Sequence, residues 1–470
     1  MTIDISNIKK CITDSKKSWI LTEQGPSDPT NYSELMGRLE NSRLKLPVLY
    51  RESVFDPFFS KLQELGEIGF NSILLNDKKR DRDAGVMLDI AQTILQNAEG
   101  YNQLAIDAFQ EVVSDLYDGF LSEEDRRGIK KPNHMTIAPL VKFGLPELGP
   151  YTLPVEVARN AFNVQTTIVS LPPAHTKFGL LGWATLAHET GGHDILNADD
   201  GLLKELSIIV NEELQRKGFK DDIPEYWSSR IDETASDVLG ILNMGYAAAI
   251  GLIGYFRGIE ESFGREPKLR NKSGAKDEHP VDILRGYLAA STVRLLSFTG
   301  ALEWGKIIED ETNKDLLEIK IGDKIISSEV AKKSAEIVAK AIAETKLTSL
   351  ENHSLREIQD WGDIDEGLVI QLEGILNTAN KLPVFIESGM YAAHVVSAAV
   401  VSALSREADL DMIFSKMLII LKMMHSSNPS WGPLSIRHPG DAFRHMLYQP
   451  LEEEEREKVR PTTKKKNKKS

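Results

Sequence analysis

Two long runs without a charged residue constrain this chain more than anything else in it. Val238–Phe256 is 19 residues free of Asp, Glu, Lys and Arg, and Ser388–Ser405 is another 18. Each is long enough to cross a bilayer as a helix. Both are rich in Gly, Ala and Ser, the first contains Asn243, and it follows directly on an acidic stretch. The remainder of the 470 residues is hydrophilic, so that mean hydropathy is −0.25. Both runs therefore read as buried core helices, and no transmembrane segment is expected.

Charge narrows the partners. Lys+Arg 56 against Asp+Glu 70 gives a net charge of −14, which argues against nucleic acid. Leu451–Ser470 is the exception, with eight Lys/Arg against five Glu. It reads as a disordered charged tail whose partner the sequence does not name. Met1–Lys10 lacks a basic start followed by an apolar core, so the cytoplasm is the expected location. Cys11 is the single cysteine, which excludes a disulfide framework and a Cys-rich zinc knuckle. Any metal site must be built from the ten histidines together with Asp and Glu.

The pattern predicts an α+β chain, mainly α-helical. Asp83–Asn97 and Leu104–Phe120 carry helical apolar stripes. Seven prolines between Pro132 and Pro173 break helices, and the short β-like runs among them, notably Val164–Leu171, predict a small sheet. Phe178–His193 is helical again. Leu317–Ser327 reads as a hairpin around Gly322, followed by a helix over Ser328–Thr345 with Ser327 or Ser328 as cap. The methionines of Leu410–Met424 read as core. These textures divide the chain into a helical region at 1–130, a core at 131–300, a helical region at 301–450 and the tail at 451–470.

The chemistry concentrates in Ala187-His188-Glu189-Thr190-Gly191-Gly192-His193-Asp194. Histidines at i and i+4 share a helix face and can share an ion; here they stand at i and i+5, about 140° apart on a regular helix. A widened π-type turn would reunite them, and Gly191 and Gly192 lie where it would form. The match arises by chance on the order of 0.02 times in a chain of this composition. The alternative is a pair of structural histidines at a Gly-Gly helix end. Downstream, Glu233 and Asp237 are i and i+4 and share a face. Glu233 can complete a His/His/Glu set, and Asp237 can hold the N–H of a ligating imidazole. The alternative for this pair is a solvated helix face. In Asp277-Glu278-His279-Pro280-Val281-Asp282-Ile283-Leu284-Arg285, His279 and Arg285 suit an oxyanion, as an alternative to a Pro-capped helix start. The same HPxxxxR spacing recurs at His438–Arg444, and Tyr287 is a further oxyanion candidate.

These segments resemble the gluzincin zinc metallopeptidases. His188 to His193 matches the HExxGH variant that marks the dipeptidyl peptidase III family, and Asp232 to Asp237 is similar to that family's second motif with Asp in place of its first Glu. The HPxxxxR element resembles that of the prenyl-protein-protease gluzincins. The resemblance spans about 100 residues. It implies a zincin-like core, a small sheet with active-site helices between helical flanks. It implies His188, His193 and Glu233 as Zn2+ ligands and Glu189 as general base. It also implies a strand edge, with Val164–Leu171 as the candidate, that holds an extended peptide.

The expectation is a zinc-dependent peptidase acting on a peptide or protein substrate, with His279 and Arg285 (or Tyr287) at the oxyanion. Two rivals stand beside it. The same two histidines and one carboxylate form the facial triad of non-haem iron enzymes. A zincin-like scaffold can also serve as a non-catalytic binding or regulatory module.

Overall fold

Gly245 cuts the first uncharged run in two. The computed structural model describes residues 3–19, 25–121, 137–146, 149–191, 193–220, 222–274, 277–377, 390–428 and 431. In it the run is shared between helices Ile231–Met244 and Tyr246–Ser262. Gly245 between them has φ 66° and ψ −155°, a conformation that glycine alone adopts without strain. A Cβ there would also lie 2.8 Å from the Trp361 indole. Among the described residues no helix is long and apolar enough to cross a membrane.

The second run is the helix Ala392–Leu404, buried almost all round. His394 opens it. Its Nδ1 accepts from the Tyr391 N–H at 2.8 Å and its Nε2 lies 2.8 Å from Asp365, so it is a satisfied core histidine. The methionine-rich helix Leu410–Ser427 buries Met417 and Met424.

The expected amphipathic helices form as Asp83–Glu99 and Gln103–Leu121. Ser327 caps the helix Ser328–Glu344 by accepting from the Val330 N–H. The molecule is α+β and mainly helical, and the described residues form two sheets of three strands each.

The first sheet joins β1 (Leu140–Phe143), β2 (Tyr151–Leu153) and β3 (Ile168–Leu171) in the order β1-β3-β2. β3 runs parallel to β1 and antiparallel to β2. This corrects the expectation for Val164–Leu171. The ladder starts only at Ile168, and β3 is the central strand with both edges already paired, so it cannot receive a further strand. The outer edge of β1 is taken up by the side chains of Gln96, Asn97 and Gln110, which bond its backbone, so among the described residues the free edge is that of β2. Residues before Ile168 are spent elsewhere: the Gln165 N–H donates to the Ser53 carbonyl, and the Thr167 hydroxyl donates to Asp194.

This sheet separates two cores. Val141, Val169 and Leu171 belong to the larger cluster, which draws residues from Ile8 to Met424. Leu140 and Ile168, on the opposite face, belong to a smaller one with Phe58, Met87 and Ile90. The larger core mixes all three regions expected from sequence, with Phe109, Trp183 and Met417 in one cluster. The second sheet is β4 (Lys272–Ser273) beside the hairpin of β5 (Ile319–Ile321) and β6 (Lys324–Ile326). The hairpin turns at Gly322, which has φ 56°. The tail at 451–470 and the His438–Arg444 element lie outside the described residues, as do His134 and His445.

Candidate metal centre

His188 sits on a short helix, Leu186–Gly191, whose next-door residues are almost entirely buried. That helix is regular up to Gly191 and then stops; His193 lies in the turn beyond it. The expected widened turn is therefore replaced by a helix end. Once the helix has ended, its 100° step no longer dictates where the second ring points. Gly192 lies outside the described residues. The two imidazole centroids are 5.0 Å apart with planes at 85°.

The turn is tied down one residue later. Buried Asp194 accepts from the hydroxyls of Thr167 and Tyr117, and burial pushes its carboxyl up to about 6. The Asn197 side chain donates to the His193 carbonyl at 2.9 Å.

Glu233 and Asp237 share the helix Ile231–Met244. This helix meets the histidine helix backbone to backbone. A Cβ on Gly240 would lie 2.9 Å from the Ala187 carbonyl carbon and 3.1 Å from the His188 nitrogen. Absence of a side chain at Gly240 is what lets Glu233 reach the imidazoles.

The ligand atoms of His188, His193 and Glu233 all lie within 4.8 Å of one another. His188 Nε2 is 3.4 Å from Glu233 Oε2, and His193 Nε2 is 3.3 Å from Glu233 Oε1. Each imidazole is held from behind by its own carboxylate. His188 Nδ1 lies 2.8 Å from Asp237 Oδ1, and His193 Nδ1 lies 3.1 Å from Asp232 Oδ2. A carboxylate only accepts at neutral pH, so both Nδ1 atoms carry the proton and both Nε2 atoms are free to bind a cation. Asp232 joins the centre with no signal in the sequence beyond its place in the acidic motif.

Electrostatics within the cluster are strong. Burial alone would push the Glu233 and Asp237 carboxyls up, but the imidazoles and Arg285 outweigh it and hold both below the usual carboxylate range. Burial likewise opposes charge on His188 and His193, yet Asp237, Asp232 and Glu233 raise both. Glu233 Oε2 is buried without a hydrogen-bond partner. An orphaned carboxylate oxygen facing His188 Nε2, on a carboxylate whose other oxygen faces His193 Nε2, fits a bound cation, which would satisfy it.

Arg285 lies on the helix Asp282–Val293 and is 3% exposed. Its Nε and one terminal nitrogen donate to the two Asp237 oxygens, each at 2.7 Å. Its other terminal nitrogen is 3.6 Å from Glu233 Oε2, and the guanidinium stacks 4.7 Å from the Phe256 ring centroid. Tyr287 is two residues on, which places it about 200° round the helix. Its hydroxyl donates to Asn313 at 2.9 Å, away from the centre. The candidate role for Tyr287 is thereby corrected.

His279 does reach the centre. Its Nε2 is 3.3 Å from Glu233 Oε1, its Nδ1 is 3.4 Å from Asp277, and its side chain is 51% exposed. Glu189 follows His188 on the helix. The Thr152 hydroxyl of β2 lies 3.1 Å from both the Glu189 carbonyl oxygen and its Oε2, and its single hydrogen serves one at a time. The free-edged strand β2 thus runs alongside Glu189.

Of the other described histidines, His175 and His353 hold backbone carbonyls and His425 is buried beside Asp107 and Glu111. Compared with protein-family models, curated proteins and solved structures, the chain gives no match.

Proposed function

We propose that this protein is a single-zinc metallohydrolase that cleaves peptide bonds in a peptide or protein substrate. One observation carries the reading: two imidazoles, each oriented by its own carboxylate, present Nε2 to a Glu233 carboxylate whose buried oxygen has no hydrogen bond. His188, His193 and Glu233 would hold the ion. Zinc in such a set supplies Lewis acidity, polarising a carbonyl and lowering the pKa of a water toward about 7.

The remaining steps belong to side chains of this chain. Glu189, adjacent in sequence to a ligand, takes the proton of the attacking water and returns it to the leaving amine. Thr152 orients Glu189 from β2. His279, half-exposed above Glu233, donates to the oxygen of the scissile carbonyl as charge develops there. Arg285 spends its two-pronged fork on Asp237 and turns its remaining terminal nitrogen to Glu233, so it acts as a positioning residue for His188. An extended peptide would pair with the free edge of β2 beside Glu189. An iron triad would use the same three ligands but would leave Glu189 and Thr152 without a task.

Metal analysis of the purified protein and peptide cleavage by Glu189→Gln test this together. Stoichiometric zinc and an inactive, metal-loaded variant are expected. A metal-free protein, or a variant as active as the parent, would overturn the proposal. Bound iron with an oxygen-dependent colour change would favour the facial-triad reading. Zinc with no turnover on any peptide library would favour a binding module.

A further inference from the structure

The face of the first sheet that turns away from Glu189 carries a cavity of about 1040 Å³. Tyr151 and Leu153 of β2 line it, whereas Thr152 between them points to Glu189. The walls beside β2 are apolar and come from Leu88, Leu153, Val157 and Ala161. The floor is Lys142 of β1, which is 3% exposed and ion-paired with Asp89; the Tyr151 hydroxyl donates to the other Asp89 oxygen at 2.9 Å. The Lys142 ammonium lies 5.5 Å from the Tyr151 ring centroid.

We infer that this cavity is a specificity pocket of the peptidase, and that it takes an aromatic substrate side chain. The inference rests on the function proposed above and on β2 as the edge that receives the peptide. Residues directly opposite one another on paired strands point to the same face, and neighbours alternate. A peptide residue opposite Thr152 shares the Glu189 face. The residues on either side of it, opposite Tyr151 and Leu153, point to the cavity.

The floor selects the chemistry. Lys142 and Asp89 cancel one another. A substrate carboxylate or ammonium would give up hydration there and find no free counter-charge, because the two floor charges are already paired with one another. A neutral ring meets neither penalty. It covers more of the apolar wall of Leu88, Leu153, Val157 and Ala161 than a small aliphatic group does, and its face can lie toward Lys142 as Tyr151 already does. The rim carries both signs: Arg80 is paired with Asp28, and Asp81, Arg82 and Asp83 stand beside them, away from the apolar wall at β2.

The test is a positional peptide library cleaved by the zinc-loaded full-length protein, for the parent and for Ala161→Trp. Ala161 is half-buried on the helix Val155–Phe162, and an indole there projects into the cavity. Expected is a preference of about 10-fold or more for Phe, Tyr or Trp over Ala at one position, expressed in kcat/KM. Ala161→Trp should reduce that preference to about 3-fold or less, read as the ratio of kcat/KM for the Phe and Ala peptides in the same preparation. Calorimetric binding of the Phe and Ala peptides to Glu189→Gln gives a readout independent of turnover. Cleavage that is indifferent to aromatic residues, that favours Asp or Glu, or that keeps its aromatic preference in Ala161→Trp overturns the pocket and leaves the peptidase standing. Aromatic-selective binding without any cleavage by the parent supports the pocket and overturns the proposed chemistry. Neither cleavage nor binding overturns both.

Discussion

Arg285 and Asp237 are joined by two parallel hydrogen bonds of 2.7 Å, and Asp237 in turn holds His188 Nδ1 at 2.8 Å. In the proposed zinc site this relay would make Arg285 a determinant of metal affinity. Arg285→Lys keeps the charge but loses the fork, and lysine cannot reproduce the bidentate geometry. Zinc affinity is expected to fall by about 10- to 100-fold, measured by chelator competition. A variant with unchanged zinc affinity but depressed kcat would instead place Arg285 at the oxyanion.

Gly240→Ala tests how the centre is assembled. The new methyl would overlap the Ala187 carbonyl carbon at 2.9 Å, which is backbone and cannot rotate away. The two ligand-bearing helices must separate. A loss of about 1–3 kcal/mol in unfolding free energy is expected, with weakened zinc binding in the same variant. Denaturant titration with and without zinc would show it, and parental stability in Gly240→Ala would contradict the close approach.

His279→Ala separates a catalytic histidine from a structural one. The side chain is half-exposed and lies against the carboxylates of Glu233 and Asp277. Thermal stability and zinc content should stay at the parental level, while kcat drops by about 100-fold and KM changes little. A matched fall in zinc content would make His279 a metal ligand rather than an oxyanion donor.

His175 predicts how the fold responds to acid. It is fully buried, its ring lies 6.0 Å from Tyr255, its Nδ1 donates to the Pro172 carbonyl, and burial pulls its pKa down to about 4. Between about pH 6.5 and pH 4 the unfolded chain binds a proton that the folded chain refuses, so stability falls as pH drops through that window. The contribution saturates below about pH 4 at about 3 kcal/mol. Unfolding free energies of the parent and His175→Gln, compared at pH 7 and pH 4, should converge by about that amount toward low pH. Parallel pH dependences would refute the assignment.

Much of the centre was legible because helix spacing is a local property. Glu233 and Asp237 share a face by period alone, and their proximity to uncharged residues foretold burial. The same arithmetic, applied two residues past Arg285, already turns Tyr287 to the opposite side. Other features were not local. A π-type turn and a helix end both bring His193 round to His188, and the sequence does not choose between them. The strand Ile168–Leu171 reads the same whether central or at an edge, because strand order is set by partners distant in sequence. Asp232 carries no signal of its own; only the turn after Gly191 brings His193 to it. Arg285 was recognisable as a cation near the site, but its engagement with Asp237 is a tertiary contact across 48 residues.

The reversal at Gly245 makes the long uncharged run a closed path in space. Asp237 stands immediately before the run and Phe256 is its last residue, and both end against the same guanidinium. Gly245 lies about 12 Å along the helix from Asp237 and touches nothing in the centre. A residue there that cannot hold a positive φ would nonetheless shift both ends of the run against one another. Arg285 would lose its carboxylate, its ring or both, so the centre's alignment is governed from a hinge that chemistry never visits.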